Sequence, residues 1–222
     1  MDSFSRLTQI NETMKKIILI LTASVLLLCC TGNTIRFGSS GIRPVTTVLL
    51  LELNKGVSEQ QLAEACNLLE ENFPRLKIVK GGKVQLPSSC YNGKRYRADS
   101  ILRYLDQIKP DSVTKVIGIT SSDISNTRTL VKNGKKVTYP DYGILGLGRR
   151  PGTVCVVSNH RMGGNAETFS KTVLHEFMHT LGVRHCIHEK CIMQDGNGSG
   201  KNMRESTHVH KECLAIAMEG ID

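Results

Sequence analysis

The chain has 222 residues, of which 40% are hydrophobic and 22% are charged, a length and composition that suit one folded domain rather than two independent globules. Tryptophan is absent and aromatic residues make up only 5%, which argues against an aromatic platform for stacking bases or sugars. The formal net charge is +9, but the lysines are spread over turns without a nucleic-acid-binding motif, so we expect a solvated basic surface and no nucleic-acid partner.

The first 30 residues have the pattern of an export signal. Two lysines precede an apolar run over residues 17–28, which is typical of a secretory signal peptide and too short to span a bilayer. The run ends in a segment loosely similar to the lipobox of bacterial lipoproteins, in which Cys30 follows a small residue and is the predicted lipidation site. We therefore predict a signal peptide over residues 1–30 and an exported bacterial protein, either periplasmic, anchored to the membrane or cell surface by a lipid on Cys30, or secreted.

Residues 31–44 are rich in Gly, Ser, Asn and Thr, a composition typical of a flexible tether. We assign residues 45–222 to one folded domain. Within it, β-branched and leucine-rich runs predict strands over residues 45–53, 76–79 and 116–120.

Two amphipathic helices are predicted between these strands. Ser58 and Gln61 match a capping box that opens the first helix, and the second covers residues 99–108 and ends before Pro110. The residues expected to be buried are Leu62, Cys66, Leu69 and Phe73 in the first helix and Ile101, Leu102, Leu105 and Ile108 in the second.

The polar region over residues 121–140 is predicted to be a loop or a hairpin. Two short strands follow over residues 142–147 and 153–157, around a turn that contains glycine and proline. A helix capped by Asn165 comes next, with Phe169, Val173, Phe177 and Met178 on its buried side. This order of elements predicts an α/β (α+β) fold with a twisted, mostly parallel sheet.

The capped helix contains the residues on which the chemistry depends. His175 and His179 are four residues apart, so both imidazoles leave one helix face and can bind one cation. Gly182 predicts the end of the helix, because glycine adopts left-handed backbone at little cost, and the turn delivers His185 as a third ligand. Three imidazoles leave one position of a tetrahedral zinc open for water, as in catalytic sites. Glu176 is the predicted general base for that water.

A second group of ligands follows the third histidine. Its Cys-x4-Cys and His-x-x-Cys spacings fit a closed tetrahedral zinc, which would supply folding energy to a small C-terminal subdomain from about residue 183. The predicted ligands of this structural zinc are Cys186, Cys191, His210 and Cys213. His188 and His208 are rival fourth ligands, and disulfide bonds are the alternative in an oxidising compartment. The residues Cys66, Cys90 and Cys155 have no assigned functional role: Cys66 fits the core of the first helix, and a bridge from Cys66 to Cys90 is an open alternative.

The run from His175 to His185, followed by Cys186, Cys191 and Met193, resembles the archaemetzincin branch of the metzincin metallopeptidases. In that family the second pair of ligands reads Cys-x-x-Cys, whereas His210 occupies the first place here. The resemblance implies a metzincin-like zincin fold with an active-site helix and a zinc-stabilised C-terminal subdomain.

The resemblance also implies roles for individual residues. His175, His179 and His185 would hold a catalytic zinc, Glu176 would act as general base, and Met193 would be the Met-turn residue. A second, structural zinc is implied as well. The edge strand over residues 142–147 would pair with an extended peptide in the cleft.

We therefore predict a zinc metallopeptidase domain with two zinc ions that acts on peptide or protein substrates as a monomer. It would hydrolyse peptide bonds with zinc-bound water that Glu176 activates. The alternative is a non-catalytic, zinc-stabilised surface protein that binds peptides or proteins. The presence of Glu176 argues against that alternative, because a structural metal does not need a base.

Overall fold

The structure is a computed structural model that describes residues 46–196 and 200–221. The predicted signal peptide, the tether and the lipidation site Cys30 lie outside these residues. The helices and strands, in chain order, are β1 (Thr47–Leu53), α1 (Glu59–Asn72), β2 (Lys77–Val84), β3 (Tyr96–Arg97), α2 (Ala98–Ile108), β4 (Lys115–Thr120), β5 (Ile124–Lys132), β6 (Lys135–Ile144), β7 (Gly146–Gly148), β8 (Val154–Ser158), α3 (Ala166–Thr180), α4 (Lys201–Glu205) and α5 (Lys211–Glu219).

Five strands form the central sheet in the order β2-β1-β4-β8-β7. The first four are parallel to their neighbours, and the edge strand β7 runs antiparallel to β8. Parallel neighbours require long crossover connections. The connections between β1, β2 and β4 contain helices, whereas the connection from β4 to β8 contains β5, β6 and β7. The predicted α/β class with a mostly parallel sheet is confirmed.

The sheet is covered on both faces, because successive side chains of a strand point to opposite sides. In β1, Val48 and Leu50 join a core cluster that also contains buried residues of α1 and α3. Leu51 and Leu53 join a second cluster with the buried residues of α2. Burial on both faces explains why the central strands are continuous apolar runs in the sequence.

The predicted helix starts are confirmed. The Ser58 side chain accepts a hydrogen bond from the Gln61 amide, and the Gln61 side chain accepts one from the Ser58 amide. At the start of α3, the Asn165 side chain accepts a hydrogen bond from the Thr168 amide. The side chains predicted to be buried are buried, except that Ile108 is only partly covered.

The polar region after β4 is a long hairpin formed by β5 and β6. Its strands pair from Ile124 opposite Ile144 to Lys132 opposite Lys135. The predicted strand over residues 142–147 is therefore wrong as a single element. Its first residues extend β6, the chain leaves that sheet at Leu145, and only Gly146–Gly148 joins the central sheet.

A network of charged side chains anchors the base of the hairpin. Asp123 accepts hydrogen bonds from Arg95 at 2.7 Å and from two nitrogens of Arg161 at 2.8 and 2.9 Å. Arg95 also pairs with Asp141 at 2.7 Å. These contacts tie the hairpin to the segment before β3 and to the loop after β8, so the base of the hairpin is held on two sides.

The segment after α3 packs back onto the central core. Cys213, Ala217 and Ile221 belong to the same apolar cluster as α3, and the Ile221 carbonyl accepts a hydrogen bond from the Thr46 hydroxyl at 2.6 Å. Within the described part of the chain, no helix has the length and apolar character needed to cross a bilayer.

Candidate active site

The end of α3 determines where the third histidine lies. The Gly182 amide bonds to the His179 carbonyl and the Val183 amide to the Met178 carbonyl, which is the Schellman pattern of a helix C-terminus. Gly182 has a φ of +93°, a left-handed conformation that glycine adopts without steric cost. The chain therefore reverses immediately after the helix and brings His185 back towards His175.

The three histidines converge through their Nε2 atoms. The Nε2 atom of His179 lies 3.1 Å from that of His175 and 3.2 Å from that of His185. Two nitrogens bound to one tetrahedral zinc at about 2.0–2.1 Å lie about 3.3 Å apart. The separations in the structure therefore fit a shared zinc ion.

The opposite ring nitrogens have partners that orient the imidazoles. The Nδ1 atom of His175 is 2.7 Å from the Ile192 carbonyl oxygen, and that of His179 is 2.7 Å from the Val183 carbonyl oxygen. A carbonyl can only accept, so both Nδ1 atoms carry the proton and both Nε2 lone pairs point to the common centre. The Nδ1 atom of His185 instead lies 3.7 Å from the Asp195 carboxylate.

Burial keeps these imidazoles neutral. It lowers the pKa of His175 to about 3 and the pKa of His179 to about 4. Burial also lowers the pKa of His185. Neutral imidazole is the form that binds a metal, so the donor set suits zinc at neutral pH.

Glu176 lies between the histidines and the edge strand β7. Its side chain is buried, and burial raises its pKa to about 8 although a hydrogen bond from the Gly148 backbone opposes the shift. A Cβ at Gly146 would lie within 3 Å of the Glu176 side chain, and one at Gly148 would overlap the Glu176 carbonyl oxygen. Glycine at these two positions therefore allows β7 to approach the active-site helix this closely.

A cavity of about 480 Å³ opens at this point. The three histidines, Glu176 and β7 line it together with Arg128 of the hairpin, Arg150 and Asp195. Arg128 lies 3.4 Å from Asp195, so the hairpin contacts the segment that follows Met193. The cavity therefore gives an extended ligand access to the backbone of β7, to the imidazoles and to the buried carboxylate.

The second predicted ligand group is brought together in part. The Sγ atoms of Cys186, Cys191 and Cys213 lie within 4.8 Å of one another. None of the six cysteines in the described ranges forms a disulfide. Burial raises the pKa of Cys213, whereas hydrogen bonds from His188, Cys213 and Cys191 outweigh burial and lower the pKa of Cys186. Such a thiol cluster is a donor set that zinc prefers.

His210 approaches the same cluster from the start of α5. Its amide donates a hydrogen bond to the Cys191 Sγ atom at 3.3 Å. Its Nδ1 atom is buried and has no hydrogen-bond partner among the described residues. His188 stacks on its ring at 3.6 Å, and the ligand atoms of Cys186, His188 and His210 lie within 4.8 Å of one another. The structure therefore brings two histidines to the cysteine group.

Met193 is fully buried and lies in a tight turn. Its carbonyl accepts a hydrogen bond from the Cys186 amide at 2.8 Å, and the preceding Ile192 carbonyl accepts one from His175. The turn therefore connects the cysteine group to the histidine group through the backbone.

Sequence reasoning missed three features of the site. Gly148, Asp195 and Arg150 were not predicted, although all three line the cavity. A signal existed for Gly148, because the Gly-x-Gly pattern within a short strand marks close approach of another backbone. The sequence contained no signal for Asp195 and Arg150, because isolated charged residues in loops are usually solvated.

The fold and the site together define a zinc metallopeptidase, with the His-Glu-x-x-His helix beside an antiparallel edge strand. A family model described as "Peptidase family M54" matches residues 62–217. The chain belongs to this family, the archaemetzincins.

Curated relatives and solved structures agree with this assignment. An archaemetzincin of Methanopyrus kandleri is 27% identical over 150 residues, which cover 64% of this chain and 78% of the relative. One from Haloarcula marismortui is 31% identical over 124 residues, which cover 49% and 64%. The crystal structure of the Methanopyrus kandleri archaemetzincin is 22% identical with a TM-score of 0.65, and the match covers 80% of this chain and 97% of that one.

A further structure, from Archaeoglobus fulgidus and complexed with malonate, is 20% identical with a TM-score of 0.59. That match covers 77% of this chain and 99% of the other. At these identities the structural likeness establishes the fold, while the family assignment establishes the class of enzyme.

Proposed function

We propose that the chain hydrolyses peptide bonds with a water molecule that Glu176 deprotonates, beside a zinc ion held by His175, His179 and His185. The observation that carries the proposal is the position of Glu176. It is a buried carboxylate next to three convergent imidazoles, in a cavity lined by an edge strand. A purely structural metal site would not need a base at this position.

Zinc, Glu176 and Gly148 would have different roles in the reaction. When bound, zinc polarises the scissile carbonyl and lowers the pKa of the attacking water. Glu176 takes a proton from the water as its oxygen bonds to the carbonyl carbon. It then delivers that proton to the amide nitrogen as the C–N bond breaks. The hydrogen bond from the Gly148 backbone holds the carboxylate in place and favours its ionised form, which accepts the proton.

We also propose that β7 binds the substrate by strand addition. Edge strands present unpaired backbone groups, and an extended peptide can pair with them. This strand is shorter than the predicted one, since only Gly146–Gly148 belongs to the central sheet. The glycines add no side chains that would separate the peptide from Glu176.

The test is Glu176→Gln, which keeps the size of the side chain and removes its basicity. We expect turnover of a peptide library to fall about 10²–10⁴-fold, while zinc content and thermal unfolding stay near wild type. Glu167→Gln at the exposed start of α3 is the matched control. Unchanged turnover in Glu176→Gln would contradict the role of this residue.

For the cysteine group we propose a second zinc bound by Cys186, Cys191, Cys213 and His210. The buried Nδ1 atom of His210 without a partner among the described residues supports it as the fourth ligand. His188 is the competitor, because it also lies next to Cys186.

Metal analysis of the purified protein tests this ligand set. We expect two zinc ions per chain, with His210→Ala reducing the count to one and His188→Ala leaving it at two. Cobalt substitution adds a second readout, because thiolate ligands produce a charge-transfer absorption. One zinc with the cysteines oxidised in pairs would contradict the second site.

The export of the chain, its lipid anchor on Cys30 and its monomeric state remain proposals. The apolar run over residues 17–28 and the small residue before Cys30 support export and lipidation. Metabolic labelling with a fatty acid in a bacterial host, with Cys30→Ala as control, tests the anchor, and light scattering tests the monomer. Equal labelling of both chains would exclude Cys30.

A further inference from the structure

Cations lie at both ends of the edge strand β7. Arg150 lies two residues after the C-terminal end of β7. Its side chain is exposed and lines the cavity together with His179 and His185. At the other end, Leu145 connects β7 to the hairpin, whose Arg128 also lines the cavity. Because Asp195 lies 3.4 Å from Arg128, a peptide paired with β7 would meet Arg150 at one end and, beyond the Arg128–Asp195 pair, the lysines of the hairpin at the other.

The hairpin carries further cations on the strands that extend away from the cavity. In β5 the side chains of Arg128, Leu130 and Lys132 share one face, because alternate residues point the same way. Their cross-strand partners in β6 are Tyr139, Val137 and Lys135. We call this set of six residues the hairpin face. The Lys132 ammonium lies 5.3 Å from the Tyr139 ring centre, which holds this cation at the surface.

The charge of the hairpin face is not balanced by the hairpin itself. Between Asn126 and Pro140 the sequence has one arginine and three lysines but no aspartate or glutamate. Lys132 lies directly opposite Lys135, and like charges in opposite positions destabilise a hairpin. An anionic ligand between them would remove this repulsion.

We propose that the enzyme prefers peptide substrates with acidic residues on both sides of the scissile bond, which the hairpin face binds on one side and Arg150 on the other. The inference rests on the proposed peptidase function and adds a substrate class to it. From Arg128 to Lys132 the strand rises about 13 Å, so the hairpin face matches four to five extended residues. Acidic side chains would contact the cations at its ends, and aliphatic parts of the peptide would contact Leu130 and Val137.

A peptide fits this surface better than a membrane does. The hairpin face begins at Arg128, which itself lines the cavity, so one extended chain can occupy both. The face is also mixed, with a leucine, a valine and a tyrosine between the cations. Binding to an anionic lipid surface is the competing outcome that the experiment separates.

The experiment compares two quenched fluorescent peptides with the same scissile bond. One has Asp and Glu in both flanking segments, and the other has Asn and Gln there. With the zinc-loaded protein we expect kcat/KM for the acidic peptide to be about tenfold higher at low salt, since several exposed ion pairs add modestly. The ratio should fall to about twofold near 0.5 M salt, where screening is strong.

Substitutions of the cations identify which residues cause the preference for the acidic peptide. Lys132→Gln/Lys135→Gln should reduce the ratio to about a third, and Arg150→Gln should reduce it by about twofold. The double variant Lys77→Gln/Lys83→Gln is the matched control, because it removes equal charge from β2 at the opposite edge of the sheet. Lys136→Gln, on the other face of the hairpin, should leave the ratio unchanged.

A binding measurement separates this inference from the proposed catalysis. The anisotropy of the same two peptides, labelled, is followed with zinc-loaded Glu176→Gln protein. Tighter binding of the acidic peptide that is lost in Glu176→Gln/Lys132→Gln/Lys135→Gln supports the inference even if the wild type cuts neither peptide. Equal affinity for both peptides overturns it. Loss of binding to phosphatidylserine vesicles in Lys132→Gln/Lys135→Gln, without any peptide preference, also overturns it and assigns the hairpin face to a membrane.

Discussion

The histidine group and the cysteine group are neighbours in the chain but are built differently. Two histidines come from one helix, and backbone carbonyls of Ile192 and Val183 orient their rings. Two of the thiols come from the loop after α3 and the third from α5, and the ring of His210 has a buried nitrogen without a partner among the described residues. The difference indicates that hydrogen bonds position the histidines before a metal binds. For the cysteine group we expect the opposite, because the proposed second zinc would hold its ligands together.

The largest expected effects come from removing one ligand of each group. His185→Ala should lower kcat/KM by about 10³-fold or more, because the enzyme loses a metal that contributes several kcal/mol to the transition state. Its free energy of unfolding should fall less than that of Cys213→Ser, because backbone carbonyls hold the other two imidazoles in place without the metal. Cys213→Ser should instead lower the free energy of unfolding by about 4 kcal/mol or more, since structural zinc contributes folding energy directly.

Chemical denaturation and steady-state kinetics measure the two effects, and both variants are compared with Cys90→Ser. Cys90 is a buried, unpaired thiol in the other core cluster and reports the cost of a buried hydroxyl. Equal loss of stability in His185→Ala and Cys213→Ser would contradict the distinction between the two groups.

A smaller effect is expected from disturbing the contact between β7 and α3. In Gly148→Ala the new Cβ would overlap the Glu176 carbonyl oxygen, a backbone atom that cannot move aside. We expect a loss of about 1–3 kcal/mol in unfolding free energy and lower activity with the same zinc content as wild type. Gly82→Ala is the matched control in β2, because its Cβ would meet no atom within 4 Å. Equal unfolding free energy and equal activity of the two variants would show that β7 can shift away from α3 at little cost.

The smallest expected effect lies at the base of the hairpin. Burial raises the pKa of Asp123, but hydrogen bonds from Arg95 and Arg161 outweigh it, so the net pKa is below the ordinary value. The ionised carboxylate therefore stabilises the fold above the unfolded-state pKa of about 3.9, and this stabilisation disappears as pH falls through the folded-state pKa. Asp123→Asn should cost about 1–2 kcal/mol at pH 7 and much less near pH 3.

Denaturation at several pH values measures this dependence, and exposed Asp111→Asn is the control. A cost for Asp123→Asn that does not change with pH would assign its effect to packing rather than to charge. Because Asp123 bonds to Arg95 and Arg161, which belong to neither group of proposed metal ligands, zinc content should remain unchanged.

The spacing of residues along the chain was sufficient to predict those parts of the site whose residues lie close together in sequence. Helix periodicity alone predicts that His175 and His179 share a face, and Gly182 predicts the reversal that brings His185 to them. Asn165 predicts the start of the same helix. These predictions depend on backbone geometry within a few residues, which a single sequence specifies well.

Only the tertiary structure decided the parts that involve distant segments. The register of β5 against β6 takes residues 142–144 into the hairpin and leaves three residues for the edge strand. The approach of Gly148 to Glu176, the proximity of Asp195 to His185 and the stacking of His188 on His210 join segments separated along the chain. Such contacts depend on how all the elements pack together, whereas ligand spacing on a helix depends only on its turn.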